Sequence, residues 1–208
     1  MGVAKLDLES CDTIYSHYLQ KPQIALHQKG DGREKNWIPF VSDNTLYLLY
    51  SDTPRTIITC KDAGDSLELT DVNISSRITC WNYGALRGGS PPSIYDNEHL
   101  IWFFHSQILY PWYFRSEHPV FIYMGGAYIS KNTYPYEIVK ISKLPFIVGN
   151  PAHHEKNRYI TDCVAFAMGS IKTSNGWRLS IHLNDCEIGI LDVTESDFEW
   201  EEIINKFV

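Results

Sequence analysis

Two kinds of chemistry lie within reach of the polar residues that this sequence places at strand ends and in loops: Glu34, Lys35, Arg55, Arg87, His105, Asp162, Asp185 and Glu187. Paired carboxylates in a cleft can serve as acid and base in glycoside chemistry, which makes Asp185, Asp162 and Glu187 the candidate catalytic set. An arginine beside a histidine can hold a phosphate or a carboxylate, because the guanidinium presents a planar fork of donors. His105, Arg87, Arg55, Lys35 and Trp37 form the candidate substrate-binding set. Each has a plainer role as well. Arg55 and Arg87 can be solvated or paired with local acids, His105 can be a hydrogen-bonded structural histidine, and Asp185 in LNDCE (183–187) can cap a turn.

No metal site is expected. His153-His154-Glu155 is the one cluster of that kind, but adjacent histidines on an extended loop point in opposite directions. No base is positioned in the sequence beside a cysteine nucleophile. The G-x-S-x-G, P-loop and G-x-G-x-x-G patterns are absent, and no cofactor is implied.

The elements that must position these groups are legible around residues 87–107, RGGSPPSIYDNEHLIWFFHSQ. Paired glycines and paired prolines fix a loop, and a polar Asp96-Asn97 turn follows. Residues 100–104 then have the β-branched and aromatic character of a buried strand, with His105 at its end. Arg87 and His105 would thus stand at the rims of adjacent strands, where they can face one pocket.

The same order recurs. KNWIPFVSDNTLYLLYSDTPRTIITC (35–60) runs strand, Asp43-Asn44 turn, strand, strand, and its turn precedes Asp96-Asn97 by 53 residues. A third, looser copy is CVAFAMGSIKTSNGWRLSIHLNDCEIGILDV (163–193), whose Asn175-Gly176 pair between alternating apolar runs is a strong hairpin signal. Connecting strands are expected over 121–129 and 137–142, while 14–19 reads equally as strand or helical turn. SDFEWEEIINKFV (196–208) has a serine cap, Glu199 three residues on and an apolar side, and is expected to be a short helix.

A period near 53 with strands and no regular helices points to blade-like units of about four strands, roughly four of them in this length. The expected fold is all-β: a β-propeller, five-bladed-like and shortened or incomplete, with a short C-terminal helix. The expected single domain divides into a partial blade (1–34), a repeat core (35–193) and the C-terminal helix (194–208). A two-sheet sandwich is the alternative.

Composition narrows the function classes. A net charge of -7 argues against a nucleic-acid binder, and no apolar run approaches the ~18 residues of a membrane span. The start, MGVAKLDLES, has no secretory pattern and does not meet the myristoylation motif. Five widely spaced cysteines suggest reduced thiols and a cytoplasmic setting. The Asn73-Ile74-Ser75 sequon is then a chance match. The 13 tyrosines and 6 tryptophans suit both strand packing and the flat faces of a sugar cleft.

Taken in order, GALRGGSPPSIYDNEHLIWFFHS, YMGGAYIS, LPFIVGN, CVAFAMGS and IHLNDCE resemble the C-terminal half of the mannoside phosphorylases and hydrolases of glycoside hydrolase family 130. They also look like related five-bladed propellers, some of them glycosyltransferase-like. The similarity spans roughly residues 35–193. It implies a carbohydrate-active protein acting on a mannose-type glycoside as glycosidase, phosphorylase or transferase, with a carbohydrate or sugar phosphate as ligand. By the same resemblance His105 would help bind phosphate, Asp185 would line the sugar site, and Arg55 and Arg87 would lie near the family's cations.

The departures from the pattern are specific. Nothing in 1–34 matches the Glu-Asp-Pro-Arg segment that carries the family's proton-donating aspartate. Tyr-Gly has become Ile181-His182, and Phe-Pro has become Phe166-Ala167. Either Glu34, Asp162 or Glu187 has taken the acid's role, or the chain is a non-catalytic sugar-binding or protein-interaction propeller. A second copy of the chain completing the ring is the expected assembly, since open blade edges invite pairing.

Overall fold

The computed structural model describes residues 2–7, 9–18, 36–62, 67–77, 79–110, 120–150 and 163–203. Lys35, Glu34, Asp162 and the His153-His154-Glu155 cluster lie outside the described residues.

Among the described residues, fifteen strands account for nearly all regular structure. β1 (Gly2–Leu6) and β2 (Thr13–Tyr18) form a separate hairpin, so the described part of 14–19, up to Tyr18, is strand. The first full sheet is a meander of β3 (Ile38–Ser42), β4 (Thr45–Asp52), β5 (Arg55–Asp62) and β6 (Leu67–Ile74). Asp43 and Asn44 join β3 to β4 with φ of 48° and 58°. A two-residue turn of this hand matches the twist of the strands, and Asp and Asn tolerate it better than most residues.

The middle sheet holds β7 (Ser93–Ile94), β8 (His99–Tyr110), β9 (Val120–Lys131) and β10 (Ile138–Ser142), with β11 (Ile147–Val148) also on β9. The third sheet is β12 (Ala165–Lys172), β13 (Trp177–Leu183) and β14 (Glu187–Val193). The last strand, β15 (Trp200–Glu202), returns to the middle sheet and pairs with β10.

The expected C-terminal helix is corrected over residues 194–203, while 204–208 lie outside the described residues. One 3-10 turn, Glu195–Asp197, is capped by Thr194, and the chain then continues extended into β15. Phe198 and Trp200 stack at 5.1 Å. Residues two apart share a face only in a strand, so the Phe-Glu-Trp-Glu alternation has period two and not 3.6. The open edge of β10 supplies the partner that settles it.

The sheets stack face to face as successive blades of a propeller-like fold. The middle sheet is buried on both sides, which is why residues 100–104 read as an unbroken apolar run. On one side Trp102, Phe104 and Tyr128 pack with Ile38, Phe40, Leu49 and Ile57 of the first sheet. On the other, Ile101, Phe103 and Ala127 pack with Ala167, Trp177, Leu179 and Ile181 of the third.

The 87–93 segment runs beside β8 between the neighbouring sheets. A Cβ on Gly88 would lie 2.1 Å from the Asn36 carbonyl oxygen, and one on Gly89 would lie 2.2 Å from that of Phe103 and 3.1 Å from that of Ala167. The glycine pair is needed for this close approach of three chain segments. Ser93 Oγ is 2.7 Å from Ser170 Oγ on β12, which ties the loop to the third sheet.

Candidate functional site

His105 sits near the middle of β8, and its backbone N–H and C=O both bond to Arg87, at 3.1 and 2.8 Å. Antiparallel residues that exchange both bonds present their side chains on the same face, so the arginine and the imidazole stand side by side. That face is the one toward the third sheet, since His105 follows Ile101 and Phe103 in alternation. His105 is 3% exposed, and Arg87 is half-buried.

From His105 a row of rings leads outward. Its imidazole lies 5.7 Å from the Tyr123 ring on β9 and 4.8 Å from Phe166 on β12. Phe166 lies 5.2 Å from His182, its cross-strand partner on β13. His182 Nε2 donates to Asp185 Oδ1 at 2.8 Å. Tyr123, Phe166 and His182 are half-buried and Asp185 is exposed, so the row runs from a buried imidazole to a solvent-facing carboxylate.

Asp185 reaches this position because the β13–β14 turn has positive φ at Asn184 (50°) and Asp185 (53°). Asn184 N–H donates to the Val164 carbonyl at 2.9 Å, which anchors the turn on the strand leading into β12. Asp185 therefore shapes a turn and orients an imidazole at once. Glu187 opens β14 opposite Leu183 and is exposed.

The other two described candidates go elsewhere. Trp37 packs against Tyr50 at 4.8 Å, within an apolar cluster of the first sheet with Leu48, Ile58 and Cys60. Arg55 is 5% exposed and lies on the opposite side of the middle sheet from His105, among Trp102 and Tyr128. Its Nη1 donates to Asp52 Oδ1 at 2.9 Å and to Tyr128 Oη at 2.8 Å, and Tyr128 Oη donates to the same Asp52 oxygen at 2.8 Å.

Burial pushes the Asp52 carboxyl above the usual carboxylate range, against the opposing pull of the Arg55 guanidinium and the Tyr128 hydroxyl. Burial likewise pushes the Tyr128 hydroxyl well above 10. Asp52 and Tyr128 were missed by sequence reasoning. The Asp52–Arg55 half was available as a carboxylate and a guanidinium flanking the tight Thr53-Pro54 turn, but no spacing connects it to residue 128. The connection of His105 to Asp185 through Phe166 and His182 was missed for the same reason.

Among the described residues no group of three or more His, Cys, Asp or Glu side chains could hold a metal ion. Among them, too, no helix is long and apolar enough to cross a membrane.

No family model matches the chain, and no curated protein matches it. Solved structures do share its fold. A glycosyl hydrolase from Bacteroides ovatus superposes with a TM-score of 0.51 at 11% identity, over 82% of this chain and 50% of that one. A structure described with the GH130 family of mannoside phosphorylases, as containing glycoside hydrolases that target β-1,2 mannosidic linkages in Candida mannan, superposes with a TM-score of 0.52 at 11% identity. That match covers 77% of this chain and 48% of that one. At this identity the likeness is one of fold, and the chain spans about half the length of these structures.

Proposed function

We propose that this chain is a carbohydrate-active protein of the glycosidase or glycoside phosphorylase kind, which takes a mannose-type glycoside along the His105–Phe166–His182–Asp185 row. The observation that carries the reading is the row itself. It places flat ring faces, an exposed carboxylate and a guanidinium on one side of the middle sheet, where a propeller-like blade meets its neighbour.

The parts suit a sugar. Phe166 and Tyr123 are half-buried rings of the kind on which the C–H face of a pyranose stacks, and Asp185 accepts hydroxyl hydrogen bonds from water or ligand. With His182 Nε2–H held by Asp185, its Nδ1 is left as the acceptor, the arrangement of an imidazole that can take a proton from a sugar hydroxyl or a water. Arg87 beside His105 offers a cation to a phosphate, as a phosphorolytic co-ligand would need.

A second reading, a non-catalytic sugar-binding module, has an observation in its favour. The carboxyl displaced upward by burial, Asp52, is on the far side of the middle sheet, while Asp185 and Glu187 are exposed. A carboxylate in water is a poor proton donor at neutral pH, whereas a general acid needs a raised pKa.

The test is a thermal-shift screen with mannose, mannobiose, mannose 1-phosphate and phosphate, on wild type and Asp185→Asn, followed by hydrolysis and phosphorolysis assays on the best ligand. A ligand that binds the native state raises Tm by mass action. A mannoside shift lost in Asp185→Asn, with turnover in wild type, supports the enzyme. The same shift without turnover supports the binding module. No shift with any sugar sinks both.

A further inference from the structure

The stack of sheets ends differently on its two sides. The outer face of the first sheet is closed, for Leu48, Tyr50, Ile58 and Cys60, which point away from the middle sheet, are all 3% exposed or less. The outer face of the third sheet is open. There Ile171, Ile188 and Ile190 are 61%, 76% and 67% exposed, and Met168 is exposed beside them.

Register sets these residues on one face. Ile190 on β14 stands opposite Ser180 on β13, and Ser180 opposite Gly169 on β12, while Asp192, Arg178 and Ile171 form the next row. Residues opposite one another in a ladder project to the same side. Leu179, Ile181 and Val193, which alternate with them, are the ones buried toward the middle sheet. The small residues Gly169 and Ser180 leave a depression of about 410 Å³, walled by Met168, Ile171, Ile190 and Pro91. Ridge and hollow on one face are what a self-complementary contact requires.

The charges on this face cancel. Arg178 Nε and Nη2 donate to Asp192 Oδ1 and Oδ2 at 2.7 and 2.9 Å, a bidentate pair between neighbouring strands. A chain of net charge -7 repels its own copy, so a neutral apolar patch is where two copies can meet.

The ends of the stack also say what covers it. The sheets within the chain already pack by apolar faces, and the outer face of the third sheet continues that series. The chain spans about half the length of the two solved structures that share its fold, so two copies match the length of one. The outer residues of the first sheet are already covered and cannot receive the third sheet of another copy head to tail. What is left is the third sheet against itself, an isologous contact that closes at two copies.

We propose that the outer face of the third sheet is a homodimer interface, on which a second copy of this chain packs its own third sheet about a two-fold axis. Three strands of seven residues measure about 14 by 24 Å, small for a permanent interface, so the expected dissociation constant is roughly micromolar. Phe166, His182 and Ile188 form the adjoining row of the same face, so the second copy lies along the rim of the proposed glycoside site. Association needs no sugar, and the dimer and the glycoside reading can fail separately.

The test is sedimentation of the whole chain from about 1 to 200 µM, a range that brackets a micromolar constant, on wild type, Ile171→Glu, Ile190→Glu and Val41→Glu. A glutamate on the two-fold face meets its own copy across the interface. Both isoleucines are exposed and stand on different strands, so either variant reads the face should the other fold poorly. Val41 is an equally exposed apolar residue of the first sheet and serves as the control. A monomer–dimer equilibrium that weakens about tenfold or more in the isoleucine variants and not in Val41→Glu supports the interface. A monomer at every concentration overturns it and leaves the face to a different chain. Growth beyond the dimer, or a dimer that both isoleucine variants leave unchanged, overturns it as well.

Discussion

The hydroxyl of Tyr128 lies 2.8 Å from Arg55 Nη1, although 73 residues separate them in sequence. One residue belongs to β9 of the middle sheet and the other opens β5 of the first, so the contact pins two blades together by a polar bond inside an apolar interface. Arg55 also lies over the Trp102 and Tyr128 rings, at 4.8 and 5.1 Å from their centroids. Tyr128→Phe keeps the ring and removes both hydroxyl bonds, leaving Arg55 and Asp52 buried with one partner fewer each. Bonds to charged groups cost more to lose than neutral ones, so the expected destabilisation is about 1–3 kcal/mol by urea unfolding. A variant as stable as wild type would mean that the hydroxyl contributes nothing to the interface.

The glycine pair makes a sharper prediction. Gly89→Ala puts a methyl 2.2 Å from the Phe103 carbonyl oxygen, a backbone atom that cannot swing aside as a side-chain end could. Either β8 or the 87–93 segment must move, and the Arg87–His105 backbone pair moves with it. The expected cost is roughly 1–3 kcal/mol or more, as for other overpacked positions. The Phe166–His182–Asp185 half of the row lies on other strands, so sugar binding should weaken less than binding of a phosphate held by Arg87. Melting temperature and the two titrations on Gly89→Ala check this.

Local patterns announced the strands well because turn residues carry their own conformational logic. Asp43-Asn44 and Asn175-Gly176 stand at tight turns between paired strands, and the apolar run at 100–104 is buried on both faces. The last segment misled for a physical reason. Ser196 with Glu199 looks like a capping box, but the capping side chains are Thr194 and Asp197, and only one turn is closed before Phe198 and Trp200 alternate onto β10. Tertiary pairing decided what propensity left open. The candidate site was legible as residue types and not as a constellation. His105 and Arg87 are neighbours because the loop folds back on β8, whereas Asp185 joins them through Phe166 and His182, and no spacing in the chain encodes that.

Two tyrosines that donate to carboxylates give a pH dependence. Tyr95 Oη donates to Glu195 Oε1 at 2.7 Å, and Tyr134 Oη donates to Asp71 Oδ2 at 2.8 Å. Burial first, and then the carboxylate that accepts each proton, pushes both hydroxyls up to about 12 from an ordinary 10. The folded chain therefore keeps these protons between pH 10 and 12 where the unfolded chain has released them. By linkage, stability from the pair is complete below pH 10 and is lost as pH rises through 12. The Tm of wild type should fall across that window, in step with tyrosinate absorbance. In Tyr95→Phe/Tyr134→Phe, which has no such protons to lose, the fall should be shallower. Equal slopes in the two proteins would assign the alkaline transition to other groups.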